Sequence, residues 1–138
     1  MTITVTGEEA TRGILASVEE MGWDHVGSDH YERDGKPACL VGHALAHCHI
    51  PVEELEWMDD CPNSSIAVVD LPAATLTPSA RAVLLTAQML QDDGVHWGVA
   101  AEDALRTASR NGVDPEVVES ELELLADLRK RWEASHAR

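Results

Sequence analysis

The sequence predicts a mainly α-helical protein with a small β element near its N-terminus, which is an α+β fold in a single compact helical domain. Apolar residues recur at helical spacing in several segments, and capping and turn residues separate those segments. The chain has 138 residues, the usual size of one domain, and its 44% hydrophobic residues suffice for a core. We therefore expect one domain over residues 1–138, with an irregular connection at about residues 59–77.

The N-terminal quarter predicts a strand, a helix and a hairpin in that order. Residues 2–6 alternate threonine with aliphatic side chains, which is typical of a short strand. Thr6 and Glu9 have the spacing of a capping box, so we expect a helix of about four turns that ends at Gly22. The dipeptide Asp34-Gly35 favours a tight hairpin turn, which indicates a small β element before it.

The middle of the chain predicts two short helices and then an irregular connection. Pro37 suits the first position of a helix that ends before Pro51, and Pro51 opens a second short helix that reaches about Met58. Three prolines and an Asn-Ser-Ser cluster interrupt the stretch that follows. Its one apolar run, residues 66–69, predicts a strand.

The C-terminal half predicts three longer helices. Thr77-Pro78 caps a helix that continues to Gly94, a second helix starts near Trp97, and Asp114-Pro115 caps the last one. The apolar stripe of the last helix consists of Val118, Leu122, Leu125, Leu128 and Trp132. This stripe can bury against its own domain or pair with another copy of the chain, so a homo-oligomer stays an open alternative.

The charge balance excludes several classes of partner. The chain has 25 acidic and 10 basic residues and a formal net charge of -15, which repels phosphates and anionic membrane surfaces.

No apolar run approaches the roughly 20 residues that span a bilayer, and the first residues lack the features of a secretion signal. Three irregularly spaced cysteines suit a reducing compartment. We expect a cytoplasmic protein that contacts neither nucleic acid nor membrane directly.

The densest set of metal-ligand side chains lies in residues 39–49. Cys39, His43 and His47 are spaced four residues apart, so neighbouring pairs share a helix face, as in many zinc sites. Cys61, His49 or a carboxylate could supply a fourth ligand, so zinc is the one cofactor that the sequence suggests. The alternative is that the cysteines pack in the core while the histidines flank it, and a Cys39–His43 nucleophile pair is a further hypothesis. No other catalytic motif is found, which favours a non-enzymatic role.

An acidic stretch around Trp57 is the candidate protein-binding surface. Its predicted contact residues are Glu53, Glu54, Glu56, Trp57, Asp59 and Asp60. An exposed tryptophan among carboxylates could anchor a protein partner, whereas a row of acids could also imitate nucleic-acid phosphates. The third interpretation is a solvated helix face without a partner.

Two sequence blocks resemble small uncharacterised proteins of actinobacteria and their bacteriophages. The blocks are residues 37–45 (PACLVGHAL) and residues 87–100 (AQMLQDDGVHWGVA). The resemblance implies a cytoplasmic setting, contact between the two blocks with Trp97 in the core, and binding of a host protein in the case of a phage protein. Our leading hypothesis is therefore a small acidic cytoplasmic interaction protein, with a zinc-binding protein and an acidic nucleic-acid mimic as alternatives.

Overall fold

The fold is mainly helical and contains two small sheets, which confirms the predicted class. The computed structural model describes residues 3–28 and 30–136. Its elements in chain order are β1 (Ile3–Val5), α1 (Gly7–Met21), β2 (Glu32–Arg33), β3 (Lys36–Pro37), α2 (Leu40–His47), α3 (Val52–Asp59), β4 (Ala74–Leu76), α4 (Pro78–Asp92), α5 (Trp97–Arg110) and α6 (Pro115–His136).

Two units, each a strand followed by a helix, lie side by side in the fold. β1 pairs in parallel with β4, and the register places Val5 opposite Leu76. A threonine follows each strand and caps the next helix: Thr6 accepts a hydrogen bond from Glu9 in the predicted capping box, and Thr77 accepts one from the backbone of Ala80. Since the two strands run in the same direction, α1 and α4 start next to each other and pack together.

The predicted hairpin is present. β2 and β3 are antiparallel, and Asp34 and Gly35 between them have φ angles of 54° and 78°, the left-handed pair that a tight hairpin turn of this kind requires. Pro37, however, lies in β3 and does not start a helix. Cys39 takes the capping position instead, because its thiol accepts a hydrogen bond from the backbone N–H of Gly42.

The irregular connection contains a strand, but not at the predicted place. Residues 66–69 form a turn in which the backbone N–H of Val69 bonds to the carbonyl of Ser65, so the strand prediction for this run was wrong. The strand is β4, which begins five residues later. Arg81 holds the turn in place, because its guanidinium donates to the carbonyls of Ile66 and Val69 at 3.0 and 2.8 Å.

Helices α1, α2, α4 and α5 surround the main core, and α6 packs against α1 and α5. Trp97, the first residue of α5, is fully buried. The ring of His43 from α2 stands edge-on to the Trp97 ring at a centroid distance of 5.2 Å, and Gln91 of α4 accepts a hydrogen bond from the Leu40 backbone at 3.0 Å. The two sequence blocks of the resemblance therefore do contact each other, with Trp97 in the core.

Candidate functional site

The candidate site is the outer face of α3. Pro51 precedes this helix with an extended backbone, and Leu55 and Met58 bury its inner side. The exposed residues are Glu53, Glu56, Trp57 and Asp60. Because they are spaced three, four and seven residues from Glu53, they lie on one stripe. We call these four residues the α3 face.

Two of the six predicted contact residues point into the protein. Glu54 is only 6% exposed, and its Oε1 accepts a hydrogen bond from the Ala73 backbone at 2.7 Å. Asp59 accepts hydrogen bonds from the backbone N–H groups of Tyr31 and Glu32 at 2.9 and 3.0 Å. These two carboxylates tie α3 to the connection before β4 and to the β2–β3 hairpin. The structure thus separates the predicted set into two structural residues and the four of the α3 face.

The α3 face has unpaired negative charge around an exposed aromatic ring. Among residues 3–28 and 30–136, no basic side chain forms an ion pair with Glu53, Glu56 or Asp60. Trp57 is 42% exposed, which is unusual for so large an apolar side chain. Asp60 follows the C-terminus of α3, where the helix dipole is also negative, so this end of the face attracts cations most strongly.

The predicted metal ligands on α2 are engaged in structural contacts. Cys39 is buried, and burial raises the pKa of its thiol to about 12 despite the hydrogen bond from Gly42. A thiol must lose its proton to bind zinc or to attack a substrate, so this environment disfavours both roles. Burial raises the pKa of the Cys39 thiol by more than the hydrogen bonds at the helix N-terminus lower it.

The two histidines of α2 share one carboxylate from α1. Glu20 lies 3.3 Å from Nδ1 of His43 through Oε1, and 3.8 Å from Nε2 of His47 through Oε2. Cys61 lies beyond the end of α3, where its thiol contacts the Trp57 carbonyl at 3.3 Å. In the part of the chain that the structure describes, no group of three or more histidine, cysteine, aspartate or glutamate side chains is placed to hold a metal ion. A zinc site at Cys39, His43, His47 and Cys61 stays a prediction.

Two glutamates with unusual surroundings were missed by the sequence reasoning. Glu20 showed no local signal, because its histidine partners lie more than twenty residues away. Glu121 is buried between α6 and α1, and its position between Val118 and Leu125 at helical spacing was a usable sign. The predicted stripe contained Leu122 at that turn instead.

Comparisons of the chain with protein-family models, with curated proteins and with solved structures found no match. A search of the described residues found no helix with the length and apolar character needed to cross a membrane. What the α3 face can bind therefore follows from its own charge, shape and exposure.

Proposed function

We propose that the protein is a small acidic interaction protein whose α3 face binds a basic segment of a partner protein. The observation that carries this proposal is the exposed Trp57 ring among three carboxylates that form no ion pair with a described residue. Tryptophan is the residue type most enriched at binding hot spots, because it combines a large contact area with few rotatable bonds.

The chemistry of the face favours arginine or lysine on the partner. A guanidinium or ammonium group can lie over the Trp57 ring in a cation–π contact while a neighbouring carboxylate pairs with it. Asp60 is one turn from Glu56, so both ends of the ring have a carboxylate in reach. The net charge of -15 adds long-range attraction, which raises the association rate with a basic partner.

The proposal includes a cytoplasmic location and, from the resemblance to phage proteins, a bacterial host protein as the partner. The acidic nucleic-acid mimic is a separate hypothesis, and its predicted salt dependence differs. A mimic relies on many carboxylates and loses its partner steeply as salt rises, whereas an anchor built on Trp57 retains part of its affinity.

The test is affinity capture from an actinobacterial lysate with the tagged protein and two site variants, at low and high salt. We expect Trp57→Ala to lower the amount of the captured partner about tenfold or more. A tryptophan that becomes buried by a partner contributes roughly 2 kcal/mol or more to the binding free energy. Glu56→Lys reverses one charge of the face and is expected to lower capture most at low salt.

Matched controls separate the face from general effects of charge and exposure. Glu19→Lys makes the same charge reversal on the exposed side of α1, and Met89→Ala removes an exposed apolar side chain from α4. Both controls should capture as the unmodified protein does. If the site variants and the controls capture the same partner equally well, the α3 face is not the binding surface. An empty capture at both salt concentrations would contradict the proposed function itself.

A further inference from the structure

Helix α6 has a second stripe of residues, with two apolar side chains, next to its buried side. Val118 and Leu125 form its buried side. Val117, Leu124 and Arg131 are seven residues apart, so they form a separate stripe along about 21 Å of the helix. Leu124, in the middle of this stripe, is 53% exposed.

A groove of about 470 Å³ lies beside this stripe, between α6 and α1. Its apolar residues are Leu15, Val117 and Leu124, its acidic residues are Glu8, Asp114, Glu116 and Glu121, and Arg12 is its basic residue. The groove thus joins apolar surface to negative charge, which suits an apolar side chain with a cation next to it.

One oxygen of a buried carboxylate in the groove lacks a donor. Glu121 is 5% exposed, and its Oε2 has no hydrogen-bond partner among residues 3–28 and 30–136. The side chain of Thr11 hydrogen-bonds to the Glu121 carboxylate, and Arg12 is close to it, although the Arg12 guanidinium forms an ion pair with Glu8. A buried carboxylate oxygen without a donor costs free energy, and a guanidinium that enters the groove brings a positive charge close to this carboxylate.

The charges along α6 show which cation fits. All charged residues in its first half are acidic, whereas Arg129, Lys130 and Arg131 follow one another in the second half. Arg129 is occupied within the protomer, because it lies 3.5 Å from Glu133 and its guanidinium is 5.8 Å from the centre of a Trp23 ring. Arg131 is exposed and has no ion pair with a described residue.

We propose that two copies of the chain pair through antiparallel α6 helices, with Leu124 next to Leu124 at the two-fold axis and Arg131 of each copy in the α1–α6 groove of the other. Arg131 is two turns after Leu124 and Val117 is two turns before it, so antiparallel pairing brings these two positions together. Asp114 and Glu121 flank Val117 on the same side of the helix. The acidic half of each α6 then faces the basic half of the other, which offsets the repulsion between two chains of charge -15.

The test is the mass of the protein in solution, measured by sedimentation over a range of concentrations for the full chain and for single variants. Arg131→Glu places a glutamate against Asp114 and Glu121 of the other copy. Asp114→Lys places a lysine against Arg131; because Asp114 also accepts a hydrogen bond from the Glu116 backbone at the start of α6, the unfolding of this variant in urea is measured alongside. We expect each variant alone to raise the dimer dissociation constant roughly tenfold or more.

Mixing the two variants makes the result specific for this interface. A heterodimer of Arg131→Glu with Asp114→Lys has one native site and one site with the charges exchanged, so we expect mixing to restore dimers. Arg33→Glu, the same charge change on the exposed β2–β3 hairpin, should leave the dimer unchanged. A monomer at every concentration, a dimer that is insensitive to Arg131→Glu, or a mixture that stays monomeric would each overturn the proposal.

Discussion

Helices α2 and α3 are consecutive and have eight residues each, yet they use their polar side chains in opposite ways. α2 contains the richest set of cysteine and histidine in the sequence, and its neighbours occupy most of these groups. α3 lacks such chemistry but presents an exposed aromatic ring and carboxylates that pair with no basic side chain in the described part of the chain. The difference shows that a cluster of reactive residue types indicates a site only where the fold leaves those groups available.

The packing of the two helices explains this contrast. α2 is wedged between α1 and the hairpin strand, so close that a Cβ added to Gly13 would lie 2.5 Å from the Ala44 carbonyl oxygen. α3 packs only its inner side, mainly against the hairpin. Burial therefore changes the chemistry of α2, while water and any partner have access to α3.

The largest difference between the two regions should be found in thiol reactivity. Burial raises the pKa of the Cys39 thiol to about 12, so Cys39 has far less thiolate at neutral pH than an ordinary thiol, and it is only 4% exposed. Cys61, just beyond α3, is half-exposed. We expect iodoacetamide to alkylate Cys61 long before Cys39, as measured by peptide mass mapping over time. All three cysteines should react in denaturant, and equal rates in the folded protein would show that the helix N-terminus activates Cys39.

The next largest effect should be on stability, when the close contact of α2 is disturbed. A Cβ on Gly42 would overlap the backbone carbonyl oxygen of Tyr31, which cannot move freely because it accepts a hydrogen bond from Ala38. Alanine favours a helix over glycine by about 1 kcal/mol, but overpacking costs about 3 kcal/mol. We expect Gly42→Ala to lower the free energy of unfolding by about 2 kcal/mol in urea denaturation.

A substitution by alanine on α3 is the control for Gly42→Ala. Glu56→Ala also ends in alanine but lies on an exposed helix face, so we expect a change within about 0.5 kcal/mol. If Gly42→Ala changed the free energy of unfolding as little as Glu56→Ala, the packing around Gly42 on α2 would not be as close as its contacts indicate.

The fold could largely be predicted from the sequence because its signals are local. Capping residues and apolar spacing located all the helices, and Asp34-Gly35 located the hairpin. β4 was missed, because it lies between Pro72 and Pro78 in a stretch that reads as turns, and its pairing with β1 spans about seventy residues. The apolar run at residues 66–69 has strand composition, but tertiary contacts from Arg81 decide its conformation.

The candidate site could be predicted only in part, because burial depends on contacts that are distant in sequence. Glu54 and Asp59 have the same residue types as Glu53 and Asp60, and nothing local distinguishes the two pairs. The donors that occupy Glu54 and Asp59 come from Ala73 and from the hairpin. Sequence therefore identified the acidic helix, while the division of its charges into structural and available groups needed the fold.

The smallest expected effect concerns His43, whose charge on α2 is linked to folding. Burial lowers the pKa of His43 below its ordinary value, although Glu20 acts in the opposite direction and His25 and His47 add to the lowering. The unfolded chain then binds this proton first as the pH falls below about 6.5, so the folded state loses stability from that pH down to the lowered pKa. Unfolding in urea at pH about 7.5 and about 5.5 should show a larger loss for the unmodified protein than for His43→Gln. His49→Asn, at an exposed position with positive φ that asparagine tolerates, should behave like the unmodified protein. Equal losses for the unmodified protein and His43→Gln would mean that the Glu20 contact compensates the burial of His43. The free energy of unfolding would then not depend on the protonation of His43.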